Sequence, residues 1–223
     1  MRRRDFILLV GGAATWPLAA RTQQADRARR IGVLTSLSMD DPASQGRFTT
    51  LQQGLQRLGW TESRSVQIDW RWGAGNADNV RQYAAELAAL APDVIVANGS
   101  VAVASLLHAT RAVPIVFTDV PDPVGAGFVD SLARPGGNVT GFMLFEYGMS
   151  GKWLELLKQI APGMTQAAVL RDPSITAGVG QFAAIQSVAP LFGVELRPVD
   201  VRDAGEIERA IAVLHFGPTV DSS

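Results

Sequence analysis

The chain is 223 residues long, 47% hydrophobic and 18% charged, with a formal net charge of −1, a composition suited to a packed globular protein rather than a disordered one. Removing residues 1–22 takes away four arginines and Asp5, leaving 16 basic against 20 acidic residues, or about −4, so general nucleic-acid binding has no electrostatic basis. With no cysteine, the chain has no disulfides, no zinc–thiolate site and no thiol catalysis.

In chain order, Arg2-Arg3-Arg4-Asp5 precedes fifteen uncharged, mostly apolar residues, Phe6 to Ala20, and then Arg21-Thr22. A basic head, a short apolar segment and a small-residue exit predict an export signal over residues 1–22, cleaved after Ala20 or Thr22. The segment is short for a bilayer crossing, which takes about 20 residues, and Gly11-Gly12 and Pro17 weaken it as a helix. Arg3-Arg4-x-Phe6-Ile7 resembles a twin-arginine export motif, without the hydroxyl residue before the pair or the lysine after the apolar couple. A periplasmic or otherwise exported location is the expectation.

From Arg30 onward strand and helix signals alternate. Ile31–Leu34 reads as a buried strand. Asp41-Pro42 supplies a cap and a first-turn proline to a helix with Phe48, Leu51, Leu55 and Leu58 on one face, ended by Gly59. Val66, Ile68, Trp70 and Trp72 alternate with polar residues, which predicts a strand with one wetter face and the two tryptophans as packing residues. Val80, Ala84, Leu87 and Ala91 form the next helical stripe, halted at Pro92. Asp93–Ala97 is an apolar central strand, followed by Asn98-Gly99-Ser100 and an Ala-rich helix to about Thr110. Pro114–Phe117 is a fourth strand, followed by a Pro/Gly-rich loop, a short helix near 128–132 and a break at Arg134–Asn138. After Val139–Phe142 and a helix over Lys152–Ile160, the rhythm restarts: strands at Ala167–Leu170 and Val194–Arg197 flank a helix to about Phe192. Asp203-x-x-Glu206 is a capping box opening a helix over Ile207–Leu214. Repeated β–α–β units with right-handed crossovers predict parallel sheets covered by helices on both faces, with a second sheet starting near Gln166.

Six segments in order carry a family likeness: Arg71–Asn76, Ala85–Leu87, Pro92–Ser100, Pro114–Phe117, Asp122–Gly125 and Pro135–Gly141. Together they resemble the ABC-transporter substrate-binding proteins whose better-known relatives take up tryptophan and tyrosine, a likeness running from Ile31 to about Leu214. The resemblance implies a type I periplasmic-binding fold: two α/β lobes joined by crossing segments, a small organic solute of amino-acid type in the cleft, and an ABC permease as membrane partner. It implies no cofactor and no enzymatic activity. Such proteins run about a hundred residues further, in line with lobes of about 100–150 residues. The expected organisation is therefore an N-terminal lobe over 23–143 and a second, incomplete lobe with an irregular tail over 144–223. A truncated, non-binding fragment and an exported Rossmann-like enzyme are the competing readings.

Ligands of open parallel sheets sit beyond the carboxyl ends of the strands, here Ser36, Asn98-Gly99-Ser100 and Thr118-Asp119. Gly99 lets the backbone approach a ligand, and Ser100 opens a helix whose free N–H groups attract a carboxylate, or simply caps that helix. Asp119 and Asp122 are candidates for an ammonium group, although Asp122 before Pro123 reads first as a turn former. Arg171 and Asp172, at a strand end in the second lobe, either close over the ligand or stay as solvated loop charges. His108 lies inside a helix, and no Gly-x-Ser-x-Gly, P-loop or metal-ligand spacing appears.

Overall fold

A computed structural model describes residues 28–215. The expected export signal and the tail beyond His215 lie outside those residues. Among the described residues, seven strands and six α-helices follow one another, alternating except where β4 leads directly to β5: β1 (Arg29–Thr35), α1 (Pro42–Arg57), β2 (Val66–Trp72), α2 (Ala77–Ala89), β3 (Val94–Asn98), α3 (Ser100–Ala109), β4 (Ile115–Val120), β5 (Val139–Met143), α4 (Met149–Ile160), β6 (Gln166–Arg171), α5 (Thr176–Val188), β7 (Glu195–Asp200) and α6 (Ala204–His215). A short 3-10 turn over Ala189–Phe192 follows α5. The first five strands form one sheet in the order β2-β1-β3-β4-β5, and β6 pairs with β7 in a second. Every named pairing is parallel.

Alternation along the central strands sends their side chains to two layers. Leu34, Ile95, Ala97, Ile115 and Phe117 face α2 and α3, where they meet Val80, Ala84, Leu87, Val103 and Leu106 in the main core. Leu87 is fully buried, a burial that stabilises by about 1.5–3 kcal/mol. On the opposite face Val33, Val66 and Ile68 pack with Leu51, Leu55 and Trp70 beneath α1. The second sheet has its own cluster of Leu154, Ile185, Ala189 and Val194.

The helices start where polar side chains satisfy their free N–H groups. Asp41 Oδ1 accepts from Ser44 N at 3.1 Å, and Asn76 Oδ1 accepts from Asp78 N and Asn79 N at 2.8 and 3.2 Å. Asp203 Oδ1 accepts from Glu206 N at 2.8 Å, while Glu206 Oε2 accepts from Arg202 N, so the capping box forms with its return bond one residue earlier than the standard pattern. β5 lies unusually close to β4: a Cβ on Gly141 would collide with the backbone O and N of Phe117.

Leu58 and Ala91, expected on helical faces, lie past the ends of α1 and α2, Leu58 77% exposed and Ala91 in a left-handed conformation at φ +45°. Residues 128–132 form no helix; Phe128 and Val129 instead donate their N–H groups to Pro123 O, closing a turn that tucks Val129 into the core. The strand begun at Pro114 runs on to Val120 rather than stopping at Phe117, because a register shift between Phe117 and Val120 lets β4 keep pairing with β5 through an irregular step.

Candidate functional site

In the order 2-1-3-4-5, connections leave β1 and β3 in opposite directions, so a crevice opens at the carboxyl ends of those two strands. The side chains there are joined in a chain. Thr35 Oγ1 donates to Asn98 Oδ1 at 3.2 Å, and Asn98 Nδ2 donates to Thr118 Oγ1 at 3.2 Å. Gly99 N donates to Thr118 O at 3.0 Å, and a Cβ on Gly99 would touch only Ser36 Oγ, at 3.5 Å. Ser36, Asn98, Gly99, Ser100, Thr118 and Asp119 therefore come together at one rim. Backbone geometry there is unusual: Gly99 has φ +87° and ψ +158°, and Asp119, inside the register shift of β4, has φ +61°. Glycine takes that conformation without steric cost, whereas a positive φ at Asp119 is strained and persists only where surrounding contacts hold it.

The rim opens into two hollows. On the α1 side a cavity of about 590 Å³ is walled by Val33, Phe48, Leu51, Trp70, Trp72 and Val96, with Asn98, Thr118 and Asp119 at its polar end. Trp70 and Trp72 stack with ring centroids 5.5 Å apart, and Phe48 lies 4.1 Å from Trp70. The tryptophans expected as packing residues are thus also cavity wall. Arg47 closes the mouth, its Nη2 2.7 Å from Asp119 Oδ2 and its Nη1 donating to Asn98 Oδ1 at 3.3 Å.

The second hollow, about 560 Å³, lies between the two sheets' helices. Ser36, Asn76 and Ser100 line it from one side, and Asp172, Ser174 and Thr176 from the other. The N-termini of α2, α3 and α5 border it, bringing their positive dipole ends to one groove. Ser100 Oγ is buried and has no hydrogen-bond partner, and no side chain caps α3. Of the two roles open to Ser100, helix cap or ligand contact, capping is not the one its hydroxyl performs.

Asp122 and Arg171 are engaged away from the rim, whereas Asp172 borders the groove. Asp122 holds its own turn, accepting from Gly125 N at 2.7 Å and from Tyr147 N at 3.3 Å. Arg171 pairs with Asp200 at 2.8 Å and lies 4.5 Å over the Phe182 ring, within the second unit. Asp172 Oδ1 accepts from Ser174 N and Oγ at 2.8 and 2.6 Å while bordering the groove. His108 also lines the groove. Among the described residues no group of three or more His, Asp or Glu side chains is placed to hold a metal ion, and no helix is long and apolar enough to cross a membrane.

The alternating architecture and the rim at the switch point define a type I periplasmic-binding fold. The model of the ABC transporter substrate binding protein family matches residues 30–219, and the chain belongs to that family. It is 27% identical over 192 residues to a tyrosine-binding protein of Clostridioides difficile, covering 86% of this chain and 55% of that one. A conserved domain protein from Vibrio cholerae superposes with a TM-score of 0.74 at 28% identity, covering 84% of this chain and 62% of the other. A Streptococcus pneumoniae ABC domain in complex with L-Trp gives the same TM-score and coverages at 26% identity. The chain thus spans a little over half the length of these relatives.

Proposed function

We propose that this protein is the exported solute-binding component of an ABC uptake system, with residues 23–143 and 144–223 as lobes that close over a small amino-acid-like solute. The observation that carries the reading is Ser100: a buried hydroxyl without a partner, at the uncapped start of α3, beside the groove that Asp172 and Thr176 border from the other side. A carboxylate placed there receives the hydroxyl and the free N–H groups of the helix. Asp119, at the same rim, supplies the negative charge an ammonium group needs. Contacts to both sides favour the closed arrangement, and a membrane permease that recognises only that arrangement receives loaded protein. The names of the tyrosine-binding and L-Trp-bound relatives support an amino acid as the solute class. Residues 1–22 would direct export.

Titration calorimetry of the chain against the twenty common amino acids tests this reading. Saturable one-to-one heat from at least one of them, with the ligand recovered unchanged, is the expected result; no saturable heat from any of them overturns it.

A further inference from the structure

The α1-side cavity is built in two parts. Its walls are hydrocarbon and indole, and its charges are confined to the mouth, where Arg47 meets Asp119. The two partners differ in freedom. Arg47 is 47% exposed on the helix surface and swings on a flexible stem, whereas Asp119 is 28% exposed and fixed by the φ +61° step in β4. Ser44 and Trp70, which also line the cavity, each carry a buried polar atom, Oγ and Nε1, without a hydrogen-bond partner, although buried polar atoms are nearly always paired. The cavity therefore carries its charge as a closed ion pair at its polar end.

A charged ligand at this polar end meets the Arg47–Asp119 pair and competes with one of its partners. A ligand bearing only a carboxylate draws Arg47 away and leaves Asp119, the more buried partner, without a cation. A ligand bearing only an ammonium group takes Asp119 and leaves the guanidinium without a counter-charge, held only by Asn98 Oδ1 and solvent. A zwitterion answers both charges at once, so neither member of the pair is left without a counter-charge.

We propose that the Arg47–Asp119 pair is an exchangeable latch that selects zwitterionic ligands. The ligand's ammonium group replaces the guanidinium on Asp119. Arg47 turns onto the ligand's carboxylate beside the start of α3, and the ligand's side chain enters the aromatic-walled cavity. This rests on the reading of the site as an amino-acid receptor, and makes Arg47 its specificity-determining residue.

The test is calorimetry with three ligands that share one ring: L-tyrosine, tyramine and 3-(4-hydroxyphenyl)propanoate. Each is titrated into the wild type, Arg47→Gln, Arg47→Lys and Asp119→Asn, with circular-dichroism melts showing that all four fold. Wild type should prefer tyrosine to both analogues. Arg47→Gln should weaken tyrosine at least tenfold while tyramine holds or tightens, since its competitor for Asp119 is gone; Arg47→Lys should fall between. Asp119→Asn should weaken tyrosine at least tenfold and tighten the propanoate, for which Arg47 is now free. This crossed pattern is one that a merely structural arginine does not produce. Equal tyrosine affinity in wild type and Arg47→Gln, or a uniform loss for all three ligands, overturns the latch alone. No heat from tyrosine or any other common amino acid in the wild type overturns the receptor reading and the latch together.

Discussion

Replacing Gly99 by Ala probes whether the rim depends on backbone shape. A Cβ at this position would meet only Ser36 Oγ, at 3.5 Å, an ordinary contact, so sterics beyond the residue cost nothing. The cost lies in φ +87° with ψ +158°, a region populated essentially by glycine alone, where another residue is strained by about 1–3 kcal/mol. The added methyl also restricts the unfolded chain, offsetting that by about 0.4–1 kcal/mol. The two ranges leave a net loss of about 1.3 kcal/mol at their midpoints and at most about 2.6 kcal/mol, and the midpoint value lowers Tm by roughly 3–5 °C for a fold of this size. Binding should fall as well, because relief of the strain moves Asn98 and the start of α3. Gly54→Ala, in the interior of α1 with nothing within 4 Å of the new Cβ, is the control of opposite sign and should gain about 0.5–1 kcal/mol. Circular-dichroism melts of the two variants beside the wild type decide the matter. If Gly99→Ala melts with the wild type and keeps its ligand affinity, the left-handed turn is not what shapes the rim.

Phe117→Ala removes the largest fully buried side chain of the main sheet and should cost about 3–5 kcal/mol, read as a lowered urea midpoint. Asp69 should steepen acid unfolding. The hydrogen bond from Arg30, at 2.6 Å, holds its carboxyl below the ordinary aspartate range, so its contribution is present above the unfolded-state pKa and is lost as pH falls through the folded one. Asp69→Asn should flatten the Tm-against-pH curve on the acid side, and an unchanged curve would discount the pair. The Glu86 carboxyl, held low by the Arg71 hydrogen bond, adds a remaining slope of the same sign. Asp203→Ala removes the cap of α6 and should cost about 0.5–2 kcal/mol, seen first as faster amide exchange in that helix.

Most of the fold is legible because its strands and helices carry opposite hydrophobic periods. Val80, Ala84 and Leu87 repeat at helical spacing and are the residues α2 buries; Val66 and Ile68 alternate and lie beneath α1. Ends read less well, since capping and pairing extend elements past their apolar residues: β1 gains Arg29 and Arg30 by pairing with β2, and α4 starts at Met149 rather than Lys152. The segment at 128–132 misleads for a related reason. Its apolar Phe128, Val129 and Leu132 have helical spacing, but the Asp122–Gly127 turn binds the first two by their N–H groups to Pro123 O and leaves Leu132 exposed.

The rim divides along the same line between local pattern and tertiary placement. Residues at or beside the carboxyl end of a strand, such as Ser36 just past β1, Asn98 closing β3 and Asp119 next to the last residue of β4, are found by marking where apolar strand runs end, because a parallel sheet brings those ends to one edge. Arg47 ends no strand, and as a charged residue in an amphipathic helix it reads as solvated surface. Yet it shares a helical face with Ser44, three residues before it, and Leu51, four after, both of which line the cavity. Ser44 is 3% exposed, so that flank of α1 points at the sheet rather than at water. Because α1 begins at the carboxyl edge of the sheet, the flank's long cation near that end reaches the strand termini. The spacing that marks Leu51 as a packing residue thus also carries Arg47 to Asp119, once the helix is known to run from that edge.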